Sequence, residues 1–272
     1  MNGTLYIVAT PIGNLEDITL RALRVMKEVD LIAAEDTRHT LKLLSHYGIS
    51  KPLMSYWGER EKVRSSAVLG KLMEGRSVAL VSDAGTPGIS DPGAVLIKKA
   101  LSEGINVVPI PGPSALTAAL SISGLPTEEF TFIGFLPAKK AQRTKALKAL
   151  SLEQRTLVFY EAPHRLLDAL ADMEETFGRR NIAVIKEITK LHEEALRGEV
   201  GQVRETLSRK TIAGEYVIVI EGGKRQTASI EEALDEVRSL IKKGMGRKEA
   251  AGKVAGQYGI SKRELYQRSL IE

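Results

Sequence analysis

The sequence predicts an α/β protein of two sheet-containing domains with a cleft between them, followed by a small helical region. Three observations carry this. Short apolar, β-branched runs alternate with helical patterns through the first part of the chain, as parallel strands joined by helices require. A second series of strands follows Pro111-Gly112-Pro113, and some of them lack an intervening helix, so the second sheet is expected to be mixed. From Gln226 onward only helical periodicity remains.

The expected strands of the first sheet are residues 5–9, 31–34, 53–56, 78–81 and 107–110, and those of the second are 130–135, 156–160, 182–187 and 216–220. A chain of 272 residues has room for two cores, and the boundaries expected are 1–115, 116–225 and 226–272. In the last region Ser229 is placed to cap a helix over 230–243, with Glu231 and Glu232 in its first turn where the helix dipole favours negative charge. Gly244-Met245-Gly246 breaks that helix, 247–257 reads as a second, and Tyr258-Gly259-Ile260-Ser261 as a turn capping a third that carries Lys262, Arg263 and Arg268. This pattern resembles a helix-turn-helix, which serves either as a packing module or as a nucleic-acid contact.

Composition removes several function classes. No apolar stretch approaches the ~20 residues of a membrane helix, and the chain enters a strand-like run at once, with no leader pattern, so a cytoplasmic location is expected. There are no cysteines and the four histidines are scattered, which excludes thiolate sites and argues against any metal centre. The net charge of +5 permits a polyanionic partner without requiring one. Lys and Arg crowd residues 139–148, 179–180, 186–190 and the tail from Lys242, either as solvated faces or as contacts to such a partner.

The most informative segment is Ser82-Asp83-Ala84-Gly85-Thr86-Pro87-Gly88-Ile89-Ser90-Asp91-Pro92-Gly93, which follows the apolar run 78–81. Glycines remove side chains that would hold a ligand away, and prolines preset the backbone, so little ordering entropy is lost on binding. Four further loops fall at expected strand ends, where sheets of this kind bind ligands: Ala9-Thr10-Pro11-Ile12-Gly13-Asn14-Leu15, Ala34-Glu35-Asp36-Thr37-Arg38-His39, Pro111-Gly112-Pro113-Ser114-Ala115 and Phe159-Tyr160-Glu161-Ala162-Pro163-His164-Arg165. None is a Rossmann GxGxxG or a phosphate-loop GxxxxGK[ST].

These blocks, with Gly214-Glu215-Tyr216-Val217, resemble the tetrapyrrole methylase superfamily, and within it the bacterial small-subunit ribosomal RNA cytidine 2′-O-methyltransferase family. The similarity spans residues 9–217, and the helical tail is similar to that family's C-terminal extension. Tetrapyrrole enzymes carry a GxGPGD-type loop where this chain has Thr10-Pro11-Ile12-Gly13-Asn14, which favours the RNA branch over a porphyrin-like substrate.

The resemblance implies S-adenosylmethionine folded into the cleft, 16S ribosomal RNA within the 30S subunit as partner, a homodimer and no membrane. Asp83, Ala84 and Gly85 are expected at the methionine end of the cofactor, Ser114 and Ala115 at its carboxylate through a helix N-terminus. Tyr160 and Ala162 are expected to flank adenine, with Pro11 closing one side and Ala213 and Gly214 at the adenine edge. A ribose hydroxyl is a poor nucleophile, so a proton acceptor helps. Candidates are Asp36, whose alternative role is a helix cap, and Lys186 or Glu187, whose alternative is a surface ion pair. Arg21, Arg38, Lys190 and Arg197 are candidates for phosphate contacts. The apolar positions of 116–122 are candidates for burial between two chains.

Overall fold

Continuous apolar runs such as Val78-Ala79-Leu80-Val81 form strands covered on both faces, and this decides the architecture of the first sheet. A computed structural model describes residues 2–56, 61–223 and 230–270; Gln226 and Ser229, the expected start and cap of the tail, lie outside them. The first sheet is five-stranded and wholly parallel, in the order β3 (Leu53–Ser55), β2 (Leu31–Ala34), β4 (Val78–Val81), β1 (Thr4–Val8), β5 (Asn106–Ile110). Side chains alternate along each strand, so Leu5 and Ile7 pack with Val68, Leu72 and Leu96 of α3 (Glu61–Met73) and α4 (Ala94–Ser102). Val8 faces the other way, onto Ala22, Met26 and Leu44 of α1 (Leu20–Glu28) and α2 (Thr37–His46).

The second sheet is mixed, as its pattern predicts, in the order β6 (Phe130–Phe135), β7 (Thr156–Glu161), β10 (Tyr216–Ile220), β8 (Asn181–Lys186), β9 (Glu194–Glu199). Only β6 and β7 run parallel; β10 is antiparallel to both neighbours and β9 to β8. One face is covered by α6 (Lys140–Ala149), α7 (Leu166–Phe177) and α8 (Val200–Ser208) through Leu147, Leu170 and Val203. The other carries α5 (Ala115–Ser123), whose Ala119 and Leu120 are buried with Ile12, Val158, Ala183 and Val217. Within the chain the apolar positions of 116–122 pack against the second sheet, with Leu116 and Ala118 half-buried and Ile122 left 39% exposed.

Both sheets belong to one compact unit, Met1–Ser151 with Thr156–Glu221; Leu152–Arg155 with Gly222–Glu272 form another. In the latter, α9 (Ile230–Lys242), α10 (Arg247–Tyr258) and α11 (Lys262–Arg268) enclose Ala233, Val237, Ala251, Val254 and Leu265. Gly259 ends α10 in the left-handed region and Ser261 caps α11 by accepting from the Glu264 N–H, the start and stop chemistry the sequence displays. No described helix is long and apolar enough to cross a membrane.

Candidate functional site

The strand order β2-β4-β1-β5 sets side by side the loops that leave their carboxyl ends. The β1 and β4 loops are joined by an isolated antiparallel bridge: the Thr10 N–H donates to the Gly85 carbonyl at 2.9 Å and the Gly85 N–H to the Thr10 carbonyl at 3.0 Å. Thr10 Oγ1 also donates to the Ser82 carbonyl at 3.0 Å. The β2 loop joins them, because the Asp36 N–H donates to Asp83 Oδ1 at 3.0 Å and the Asp83 N–H to Glu35 Oε2 at 3.2 Å.

Two cavities open among these loops. The first, of about 810 Å³ counted out to its mouth, lies between the β4 loop with the start of α5 and the second sheet, and Ala84, Ser90, Asp91, Ser114, Tyr160 and Val217 are among its lining. The second, of about 1030 Å³, is bounded by the β1 loop, Asp83, His39 and Lys42 of α2, and Lys190. Ile12, Ala84 and Glu215 belong to both.

The first cavity is lined by both apolar and acidic groups. Tyr160 stands in edge contact with Phe132 and Phe135, and burial pushes its phenol up although the Leu116 N–H donates to it. Ser114 makes no side-chain cap to α5, so the first turn of that helix keeps backbone N–H groups at the cavity wall. Asp91 is raised to about 6, first by burial and then by Glu35, with Asp83 adding to it and a bond from Ser82 opposing it. Glu35 is itself pushed up by burial, with Asp83 and Asp36 adding to it. The charged groups acting on Asp91 are thus carboxylates, an arrangement that favours a cationic ligand.

The loop after β8 forms the far wall of the second cavity. Lys190 Nζ donates to Glu187 Oε1 at 2.9 Å and to Glu215 Oε2 at 3.1 Å, and the Glu215 N–H donates to Glu187 Oε1 at 2.9 Å. Burial opposes the charges of Glu187 and Lys190, but their mutual bonding outweighs it, so the carboxyl is held below and the ammonium above its usual range. The loop touches β1's loop at Gly13, where a Cβ would sit 2.4 Å from Lys190 Cγ; only glycine permits this approach. The Asn14 N–H completes the junction by donating to Thr189 Oγ1 at 3.1 Å.

The sequence candidates divide accordingly. Gly85, Ser114, Ala115 and Tyr160 line the first cavity, Ala84 both, and Pro11, Asp83 and Lys190 the second. Ala162 follows the strand that supplies Tyr160, and Ala213 and Gly214 precede Glu215 in the loop before β10, without lining either cavity. Asp36 caps α2 by accepting from the Arg38 N–H at 2.8 Å, and its carboxylate, held down at about 2 by the Arg38 side chain and N–H, is bonded by that guanidinium at 3.2 and 2.9 Å. Lys186 ends β8 and Arg21 is exposed on α1, neither lining a cavity. Arg197 is committed to the end of α5, its Nε donating to the Ile122 and Ser123 carbonyls at 3.2 Å. Sequence reasoning did not single out Asp91, Glu215, His39 or Lys42 as site residues, although Asp91, Glu215 and His39 stand inside informative motifs.

The model of the tetrapyrrole (corrin/porphyrin) methylases matches residues 4–204. The chain is 48% identical to the ribosomal RNA small subunit methyltransferase I of Halalkalibacterium halodurans, over 97% of this chain and 93% of that protein. It is 47% identical to the protein of the same name from Synechocystis sp., covering 98% of both. Among solved structures, uroporphyrin-III C-methyltransferase from Thermus thermophilus in complex with S-adenosylhomocysteine shares the fold at a TM-score of 0.57 and 19% identity, over 82% of this chain and 98% of that one. The chain therefore belongs to the tetrapyrrole methylase family, and within it to the branch whose members are named ribosomal RNA small subunit methyltransferase I.

Proposed function

We propose that this chain is an S-adenosylmethionine-dependent methyltransferase that modifies the ribose 2′-hydroxyl of a cytidine in small-subunit ribosomal RNA. The observation that carries the reading is the pair of adjoining cavities with a common wall at Ile12, Ala84 and Glu215, one fitted to a donor and the other to an acceptor. The relatives' names supply the acceptor class, and the solved methylase of the same fold holds S-adenosylhomocysteine.

The first cavity fits the donor on its own chemistry. Tyr160, Ile188 and Val217 offer apolar surface to an adenine, the start of α5 at Ser114 and Ala115 offers N–H groups to a carboxylate, and Asp91 offers negative charge to a cation. When bound there, S-adenosylmethionine supplies a methyl group activated by a positively charged sulfur. The backbone of Ala84 and Gly85 holds the donor end of the site.

The second cavity takes the nucleotide. His39, Lys42 and Lys190 give it a basic rim, and Pro11 and Leu15 an apolar floor against which a splayed-out nucleoside packs. Arg21, Arg38 and the exposed lysines of α6 extend phosphate contact beyond it. Asp36, already tied to Arg38, serves α2; Lys186 and Arg197 serve the second sheet and α5. In this reading residues 1–115 and 116–225 supply the two walls, 226–272 an appended RNA-facing region, and a cytoplasmic homodimer acts on the 30S subunit.

Incubating the protein with tritium-labelled S-adenosylmethionine and small subunits, or their naked RNA, from cells lacking it tests the reading. Label recovered as 2′-O-methylcytidine supports it and identifies the substrate form. Label on a corrinoid or porphyrin precursor but on no RNA would overturn it.

A further inference from the structure

We infer that Glu215 is the catalytic carboxylate of this site, taking the proton of the acceptor hydroxyl, and that Lys190 and Glu187 are its positioning residues. The inference rests on the methyl-transfer reading above. Of the residues common to both cavities, Ile12, Ala84 and Glu215, only Glu215 carries an ionisable group. A donor in one cavity and an acceptor in the other meet at that wall, and Glu215 is the carboxylate that both cavities share, whereas Asp91 lines the first alone and Asp83 the second alone.

Its placement is fixed from three sides. The Glu215 N–H donates to Glu187 Oε1 and the Glu187 N–H donates back to the Glu215 carbonyl, each at 2.9 Å. Lys190 Nζ then grips Glu215 Oε2 at 3.1 Å. These bonds set the backbone and one carboxylate oxygen, leaving Oε1 for the acceptor. Glu187 is less available, because its Oε1 already receives two of these bonds and its side chain is 18% exposed against 77% for Glu215. Lys190, an ammonium held in that state by both glutamates, has no lone pair to accept a proton. Glu187 and Thr189 adopt φ of +51° and +67°, so the loop stores backbone strain to hold this geometry.

In the step, Glu215 removes the 2′-hydroxyl proton while the oxygen's electron pair forms the bond to the methyl carbon and the carbon–sulfur pair stays on sulfur. The exposed carboxyl group then releases its proton to water. No other reactant is needed.

The test compares wild type with Glu215→Gln, Glu215→Asp and Glu215→Ala on unmodified small subunits. It measures kcat and KM across pH, S-adenosylmethionine affinity by calorimetry and subunit affinity by filter binding. General-base catalysis is worth about 10²–10⁴-fold, so Glu215→Gln is expected to lose at least about 100-fold in kcat and the acidic limb of its pH profile, with both affinities within about threefold. Glu215→Asp retains the limb at reduced kcat, and formate restores turnover to Glu215→Ala. A Glu215→Gln kcat within about threefold of wild type overturns the assignment, as does a loss of kcat that comes with loss of either affinity and no formate rescue. Wild type that binds S-adenosylmethionine yet labels no RNA overturns the methyl-transfer reading and this inference with it; active wild type beside active Glu215→Gln overturns this inference alone.

Discussion

Thr10 and Gly85 exchange backbone hydrogen bonds of 2.9 and 3.0 Å, closing an antiparallel bridge just beyond the carboxyl ends of two strands in a sheet whose strands all run parallel. The bridge fixes where the β4 loop turns toward the first cavity. Gly85 holds it at φ +75°, a conformation that costs other residues about 1–2 kcal/mol, and a Cβ there would meet Ile12 Cγ2 at 3.6 Å, an ordinary contact. Gly85→Ala is therefore expected to lower stability by about that amount through the backbone alone. S-adenosylmethionine affinity should fall with it, because Ala84 precedes Gly85 in the displaced loop and Ile12 lies against it. Urea unfolding and calorimetry check the two parts separately.

Asp91 is expected to trade stability for binding. Its carboxyl titrates near 6 in the folded chain because of burial and then Glu35, with Asp83 and Tyr160 also nearby, whereas an unfolded aspartate titrates near 3.8. The favourable contribution of the protonated form is therefore complete below the unfolded value and lost as pH rises through about 6. Asp91→Asn, neutral at every pH, should be more stable than wild type by about 1 kcal/mol at pH 7.5 once solvent screening is allowed for, and equal to it near pH 4. The same variant should bind S-adenosylmethionine about tenfold more weakly at pH 7.5, and wild-type affinity should fall as pH drops through about 6. Unfolding curves and titrations at several pH values measure both.

Asp36 is expected to be dispensable for chemistry. Its oxygens cap α2 and hold Arg38, and a carboxylate depressed to about 2 contributes stability that is present above 3.8 and lost as pH falls through about 2. Asp36→Asn keeps an oxygen for the Arg38 N–H. Turnover should stay within about threefold of wild type, while Asp36→Ala lowers the melting temperature. A kcat reduction of the size expected for a proton acceptor in Asp36→Asn would return a catalytic role to this residue.

The parts of the molecule readable from sequence are those fixed by local chemistry. Val78-Ala79-Leu80-Val81 and Tyr216-Val217-Ile218-Val219-Ile220 are strands by composition, and the Gly and Pro of the β4 loop declare a shaped connection. The strand β9 escapes a reading by composition because Glu194-Ala195-Leu196-Arg197-Gly198-Glu199 has no β-branched or aromatic residue; it is a strand because its edge position beside β8 completes the ladder. Glu215 and Asp91 stand in plain view in the sequence, yet their roles depend on which distant segments meet. Gly134 of the β6 bulge lies so close to the β4 loop that a Cβ there would be 3.4 Å from Ser90 Oγ, a contact between residues far apart in sequence. No periodicity encodes such a meeting.

The basic run 139–148 holds two kinds of cation that sequence cannot separate. Arg143 is buried, with its Nε donating to Asp172 Oδ2 at 2.6 Å and its Nη1 to the Ala138 carbonyl at 3.2 Å, so it ties α6 to α7 and is not offered to RNA. Removing it leaves a buried carboxylate whose remaining ion-pair partner among the described residues is the exposed ammonium of Lys140, 3.9 Å away. Arg143→Ala is expected to cost about 3–5 kcal/mol, and Arg143→Met with Asp172→Leu to recover most of it, since a matched apolar pair avoids the stranded charge. Lys145 and Lys148 lie exposed on the same helix, and converting both to Gln should leave stability and S-adenosylmethionine affinity unchanged. The double change should instead weaken ribosomal RNA binding and reduce the slope of log affinity against log salt by about one for each phosphate no longer neutralised. Denaturation curves for the first pair and salt-dependent filter binding for the second distinguish them. An unchanged salt slope in the double lysine variant would remove α6 from the RNA-binding surface.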